Sequence, residues 1–288
     1  FGGQLAFDLA ATGEGFDESA HFDATLARLS GTLRGETVRG NGRLQRTANG
    51  WAAQNIHLQM GDARLAANGT LRDTLDAQLT FSAGSLQTFL PDARGSVNLK
   101  ATASGSAKAP HIVAEVRGER LAYGEWKVTS LDANGDVDLG AQNPSRLSIV
   151  AQSIGTTEPI METLTVSGEG VANDHRITID VQGVANPGYP EPHATLRLAG
   201  RYADQTWSGT ILATDIADGR KTGEPLVMNE PANFLVSKSR LALEQFCIAL
   251  GRGQFCAEGR WEQNGPWEGT VSGYEIPIAA LLPPTGPD

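Results

Sequence analysis

The sequence predicts an all-β protein built on one long, curled, antiparallel-rich sheet, and three observations carry that prediction. Apolar and polar residues alternate strictly in runs from one end of the chain to the other, which sends them to opposite faces of a strand. Turn-forming glycines recur between the runs at short spacing. No stretch of ten or more residues sustains the 3.6-residue period of an amphipathic helix. The 34 glycines among 288 residues approach twice the average share of about 7%, as a chain of many turns requires.

Taken in order, the chain opens at Phe1 directly into Gln4-Leu5-Ala6-Phe7-Asp8-Leu9, which already alternates like the middle of a strand and reads as part of a longer protein. Turn signals follow at Gly40-Asn41-Gly42, Asn49-Gly50 and Asn68-Gly69, with Ile56 and Leu58 as inward residues between them. Leu75-Ala77-Leu79-Phe81 alternates cleanly, and Ser85-Leu86-Gln87-Thr88-Phe89-Leu90-Pro91 then breaks the pattern as one helical turn stopped by proline. Gly95 starts a strand that turns Val97 and Leu99 inward. A loop over Ser104-Gly105-Ser106-Ala107-Lys108-Ala109-Pro110 leads to the next, with Ile112 and Val116. Leu131 to Leu139 alternates through Asn134-Gly135, where glycine marks a bulge or bend, and turns Val137 inward.

Later inward pairs and triplets are Leu147 and Ile149; Leu164 and Val166; Ile177, Ile179 and Val181; and Leu196 and Leu198, followed by Ile211. Phe246, Ile248 and Phe255 flank a turn at Gly251-Arg252-Gly253, and Asn264-Gly265 marks another. Pro277-Ile278-Ala279-Ala280-Leu281-Leu282-Pro283 resembles the earlier break, so repeat boundaries are expected near 86–95 and 277–288 of a single continuous segment, 1–288. At about 10 to 12 residues per strand and turn, the chain holds roughly 18 to 22 strands.

Composition excludes several functions. With 23 Lys and Arg against 33 Asp and Glu, the formal charge of −10 lacks the basic footprint of a nucleic-acid binder or of a helix lying on anionic lipid. No window approaches the ~18 apolar residues of a membrane-spanning helix. His21, His57, His111, His175 and His193 show no metal-ligand spacing and read as surface or turn residues. No nucleophile elbow, dinucleotide fingerprint or phosphate loop appears, so neither an enzyme nor a cofactor is expected. Asp136 and Asp138 flank Val137 on the wet face as a calcium pair or a solvated pair, and Asn68-Gly69-Thr70 reads as a turn rather than a glycosylation site.

Stacked at ~4.8 Å, about 20 strands make a sheet of roughly 95 Å. Open twisted sheets beyond ~10 strands curl, split or close, which leaves two arrangements: a sandwich with a dry core, or one sheet folded over an open groove. An open apolar face needs an apolar occupant. Acyl chains suit it, at about 0.8 kcal/mol per methylene.

The leucine-proline break, the glycine-initiated strand, the Ser-Gly-Ser-Ala-Lys-Ala-Pro loop and the strand after it together resemble the repeating unit of the TamB and AsmA-like family. The segment Leu243-Glu244-Gln245-Phe246-Cys247-Ile248 with Gly253-Gln254-Phe255-Cys256-Ala257-Glu258-Gly259-Arg260-Trp261 is similar to a hairpin of the same family. The resemblance implies a U-shaped β-taco with an apolar concave face, and a middle-to-late section of the parent protein. It also implies a periplasmic location with an inner-membrane anchor elsewhere, and an outer-membrane barrel partner of the TamA type. The implied activity is phospholipid movement between the membranes and outer-membrane biogenesis, with the inward residues named above lining the lipid path. A β-strand chaperone for outer-membrane proteins or autotransporters, and a structural β-solenoid stalk, are the alternatives.

If the late hairpin turns on Gly251-Arg252, Cys247 stands opposite Cys256 on a non-hydrogen-bonded site with Cα atoms about 4.5 Å apart. A disulfide then forms on the wet face, in an oxidising compartment. A three-residue turn with a bulge, or two reduced thiols, is the other reading.

Overall fold

A computed structural model describes residues 2–15, 21–140, 143–185, 191–217, 226–250 and 252–276. The chain divides into two compact units. Unit 1 comprises 1–143 with 155–157, and unit 2 comprises 144–154 with 158–288. Among the described residues there are 19 strands and one three-residue 3-10 helix. No helix there is long and apolar enough to cross a membrane. The all-β, antiparallel class expected from the alternation is what the chain adopts.

Unit 1 contains β1 (Gly3–Glu14), β2 (His21–Leu33), β3 (Glu36–Thr47), β4 (Gly50–Met60), β5 (Ala63–Leu71), β6 (Thr74–Ala83), β7 (Ala93–Ser106), β8 (Ala109–Tyr123) and β9 (Trp126–Asp138). Each pairs antiparallel with the next. The turn from β2 to β3 is tight because Arg34 and Gly35 both take positive φ, 55° and 84°, matching the strands' right-handed twist.

Unit 2 holds β10 (Ser145–Gly155), β11 (Pro159–Val171), β12 (Asp174–Gly183), β13 (His193–Ala203), β14 (Thr206–Ala217), β15 (Leu226–Met228), β16 (Ala232–Ser237), β17 (Arg240–Leu250), β18 (Gly253–Glu262) and β19 (Glu268–Tyr274). The strands β11 to β14 pair in succession. Short β15 and β16 share the path between β14 and β17. The ladder then runs through β18 to β19.

Several turn assignments change. Gly40-Asn41-Gly42 lies inside β3 and Asn68-Gly69 inside β5. The glycines answer a need for space, because a Cβ at Gly40 would stand 2.6 Å from Leu58 Cδ2 and one at Gly42 2.5 Å from Ile56 Cδ1. The asparagines hold a bulge in β4. There Asn55 takes φ 49°, its N–H donates to the Asn68 side-chain oxygen at 2.6 Å, and its carbonyl accepts from the Asn41 amide at 3.1 Å. The expected loop over 104–110 shrinks to a two-residue turn, since Ser106 still pairs with Ala109. The break near 86–95 is the 3-10 helix Leu86–Thr88, and the one at 277–288 lies outside the described residues.

Among the described residues no large side chain is fully buried, and the best-buried apolar positions are small, such as Ala63, Ala83, Ala93 and Ala232.

Candidate functional site

The register places the apolar residues of unit 1 in rows running across the strands. One row crosses all nine: Phe7, Leu29, Gly40, Leu58, Leu65, Phe81, Leu99, Val116 and Ala133. A second runs from Leu9 and Leu26 through Ile56, Ala67, Leu79, Ala101 and Ala114 to Gly135, and a third from Ala11 through Leu44, Ala53, Gly69, Ala77, Ala103 and Ile112 to Val137. Two outer rows complete the face, one through Leu5, Val38, Met60, Val97 and Leu131, the other through Phe22, Trp51, Leu71, Leu75 and Pro110. The opposite face is polar, as in the row Arg39, Gln59, Arg64, Ser82, Asn98, Arg117 and Asp132. The expected inward residues Ile56, Leu58, Leu79, Phe81, Val97, Leu99, Ile112, Val116 and Val137 therefore share one face.

Unit 2 has its own apolar face. Leu164 pairs with Val181, Val166 with Ile179 and then Leu196, and Ile177 with Leu198 and then Ile211. Leu147 joins them, because a Cβ at Gly168 would meet both Leu147 and Ile177 at ordinary contact distances, 3.4 and 3.7 Å; Ile149 follows it in alternation. Phe246 faces Ala257 and Ile248 faces Phe255, continuing the face across β17 and β18. Thr214 interrupts it: the residue is buried and its hydroxyl has no hydrogen-bond partner.

These faces are lined but not covered. Leu58 remains 41% exposed, whereas Leu198 is 7% exposed. Unit 1 holds an apolar hollow of about 410 Å³ against Leu44, Trp51, Leu71, Leu79 and Ile112. Unit 2 holds one of about 520 Å³ against Trp207, Phe234, Leu241, Trp261 and Trp267. Aromatic side chains gather at both. Phe22 meets Trp51 edge-on at 5.6 Å, and Trp207 meets Phe234 at 4.7 Å.

The sequence singled out neither Arg46 nor the aromatic margins. Arg46 pairs with Trp51 across β3 and β4 and lays its guanidinium 5.1 Å from the indole centroid. The alternation Leu44-x-Arg46 hints at its inward placement, but only the register establishes it. His175, expected as a surface or turn residue, stands beside the turn between β11 and β12, where its Nδ1 lies 3.1 Å from the Ala172 carbonyl while its Nε2 accepts from Trp207 Nε1–H at 2.9 Å.

The two aspartates of β9 have separate duties. Asp136 pairs with His111 Nε2 at 2.5 Å. Asp138 is buried, and the Asn143 side-chain amide, with the Gly140 and Asn143 backbone N–H groups, holds its carboxyl below the usual range. They form neither a solvated pair nor a calcium site, and among the described residues no cluster could hold a metal ion. On the same polar face the Arg43 guanidinium, then the Gln45 amide, hold the Asp23 carboxyl at about 2.

Cys247 and Cys256 are disulfide-bonded, directly opposite in the ladder with Cα atoms 4.1 Å apart. The bridge lies on the face opposite Phe246 and Ile248, as expected; Cys247 is 8% exposed, Cys256 is half-buried, and the Gln254 amide lies 3.1 Å from Cys256 Sγ.

Comparison with known proteins places this architecture. The chain is 23% identical over 197 residues to the translocation and assembly module subunit TamB of Haemophilus influenzae, an alignment covering 66% of the chain and 14% of that protein. It is also 26% identical over 98 residues to a UDP-N-acetylglucosamine 1-carboxyvinyltransferase of Corynebacterium jeikeium, over 34% of the chain and 23% of the enzyme. The chain thus spans less than a quarter of either relative. No solved structure matches. The family model described as TamB, N-terminal domain, matches residues 1–279. Since that match covers nearly all of the alternating strands, the chain belongs to the TamB N-terminal domain family.

Proposed function

We propose that the chain is a section of a non-enzymatic conduit in which phospholipid acyl chains lie on the apolar faces while passing between the inner and outer membranes of a Gram-negative bacterium. The observation that carries this reading is the three inner apolar rows of unit 1, which cross its strands without a charge, together with the lack of any fully buried large side chain among the described residues. A sandwich or a filled stalk requires a packed interior, and uncovered faces of this extent call for an apolar occupant. Family membership supports a part in translocation and assembly at the outer membrane, with a TamA-type barrel engaged through other parts of the parent protein. The disulfide supports a periplasmic location.

The test is mass spectrometry of lipids extracted from the purified chain. Phospholipid is expected in at least equimolar amount. Lipid-free protein from cells, which also takes up none when mixed with vesicles, would refute the conduit.

A further inference from the structure

The polar face of unit 1 carries a trough that lipid conduction does not use. Its lining takes three consecutive residues from each of β3 to β7, and the middle one of each triplet, such as Leu58 or Phe81, belongs to the apolar face. The trough therefore runs across the strands between two polar rows. It holds about 500 Å³ and is lined by Arg39, His57, Arg64, Thr80, Asn98 and Lys100, and among the described residues no carboxylate lines it. In a chain with 33 Asp and Glu against 23 Lys and Arg, a hollow of one sign runs against the composition.

Elsewhere on that face the cations have partners. Arg43 meets Asp23, His111 meets Asp136, and Arg117 meets both Glu115 and Asp132. Arg39, Arg64 and Lys100 are exposed, and among the described residues their side chains make no hydrogen bond or ion pair. Lys100 stands opposite Glu115 across β7 and β8, yet that carboxylate is held by Arg117 at 2.7 Å. The ladder thus gathers three uncompensated cations and fixes their spacing.

Neighbouring strands are ~4.8 Å apart, so Arg39 and Arg64, on either side of β4, stand ~10 Å apart across Gln59. Both guanidinium groups are on stems long enough to reach the space above β4, and each presents a planar fork that matches a carboxylate. Lys100 stands three strands from β4, ~14 Å away. An extended peptide rises ~3.4 Å per residue, so four residues cover that distance, and the even interval keeps both side chains on one side of the segment. The flexible lysine stem spans the offset of one row. Thr80 and Asn98 offer uncharged hydrogen-bonding groups to the backbone between. A flat anionic membrane matches less well, because Asp76, Glu115, Asp132 and Asp136 stand around the trough on the same face and like charges would be pressed together. A narrow segment lies between them.

We propose that this trough docks an extended acidic segment of a partner protein, with one carboxylate clamped between Arg39 and Arg64 and a second, four residues along, at Lys100. The site is on the face opposite the apolar rows, so it stands apart from the lipid-conduit reading.

The test is fluorescence anisotropy of the purified chain with a labelled threonine-serine peptide carrying two glutamates four residues apart. Binding is expected to weaken as salt rises, to weaken about tenfold with Arg39→Gln and Arg64→Gln together, the loss of two exposed charge pairs, and to weaken about threefold with Lys100→Gln. Thr80→Asp, which sets a carboxylate into the trough, should weaken it as well. Melting temperature and lipid content should match the native chain in every variant. The proposal is overturned if the native chain does not bind the peptide, or if replacing both glutamates by glutamine leaves binding unchanged. Glutamates on adjacent residues binding as tightly, or folded variants binding as the native chain does, would overturn it too. Phosphatidylglycerol vesicles that sediment with the native chain but not with the double arginine variant, while the peptide stays free, would assign the trough to a membrane surface instead.

Discussion

A carboxylate placed on the apolar face separates the path from the scaffold, provided the position is chosen by exposure. Leu198, 7% exposed between Ile177 and Ile211, is a poor choice. Leu198→Asp forfeits nearly all of the ~1.5 to 3 kcal/mol that a buried leucine contributes and adds several kcal/mol for desolvating the charge, so it unfolds the surrounding strands. Leu58, 41% exposed, retains water on one side. With some three-fifths of its surface covered, Leu58→Asp loses only about 1 to 2 kcal/mol of burial, and the carboxylate stays hydrated. The melting temperature should fall by roughly 2 to 8 °C.

An acyl chain crossing that point would strip water from the carboxylate or detour around it, and either costs several kcal/mol. The assay pairs a circular-dichroism melt with lipid content by mass spectrometry, and uses Thr80→Asp, exposed on the polar face beside Lys100, as control. Leu58→Asp should retain its β signal and lose at least about nine-tenths of its lipid, consistent with a penalty above 1.4 kcal/mol. The reasoning fails if folded Leu58→Asp carries as much lipid as the native chain, or if Thr80→Asp loses as much.

Removing the disulfide with Cys247→Ala and Cys256→Ala opens a loop closed across nine positions. Chain entropy sets the loss at about 2 to 3 kcal/mol; denaturant titration should show it, with lipid content unchanged. Asp23, lowered from an ordinary 3.8 to about 2, binds its proton more readily in the unfolded chain. Its contribution is therefore complete above about pH 4 and drains as pH falls toward 2, and Asp23→Asn should flatten that part of an acid titration followed by circular dichroism. Asn68→Ala removes the acceptor of the Asn55 N–H and should cost about 1 kcal/mol, with faster amide exchange confined to β4 and β5.

Large apolar residues in strict alternation were legible because one face is buried relative to the other over whole strands. The small residues completing that face were not. Ala67, Ala101, Ala103 and Ala114 fill the rows between the leucines, yet alanine carries little periodic signal. Glycine misled for a related reason: Gly40 and Gly42 are short because Leu58 and Ile56 lie over them from the next strand, a cross-strand demand that looks locally like a turn. Bulges at Asn55 and Arg120, both at positive φ, hide further, since no glycine announces them. Arg46 was invisible because a charge in an alternating run reads as an end of the pattern, whereas Trp51 allows it to stay.

The rows across β1 to β9 also bear on movement. If they carry acyl chains, travel proceeds from strand to strand, and the wall repeats at the ~4.8 Å spacing of the ladder. Leucine, glycine, phenylalanine and alanine succeed one another along a row, so the floor undulates without a graded slope. Such a surface is a washboard rather than a ramp: it lowers the barrier to motion equally both ways and stores no preference for either end. Net flow must then be imposed where lipid enters and leaves, and a segment of this kind could be lengthened by whole strands without altering which way lipid runs.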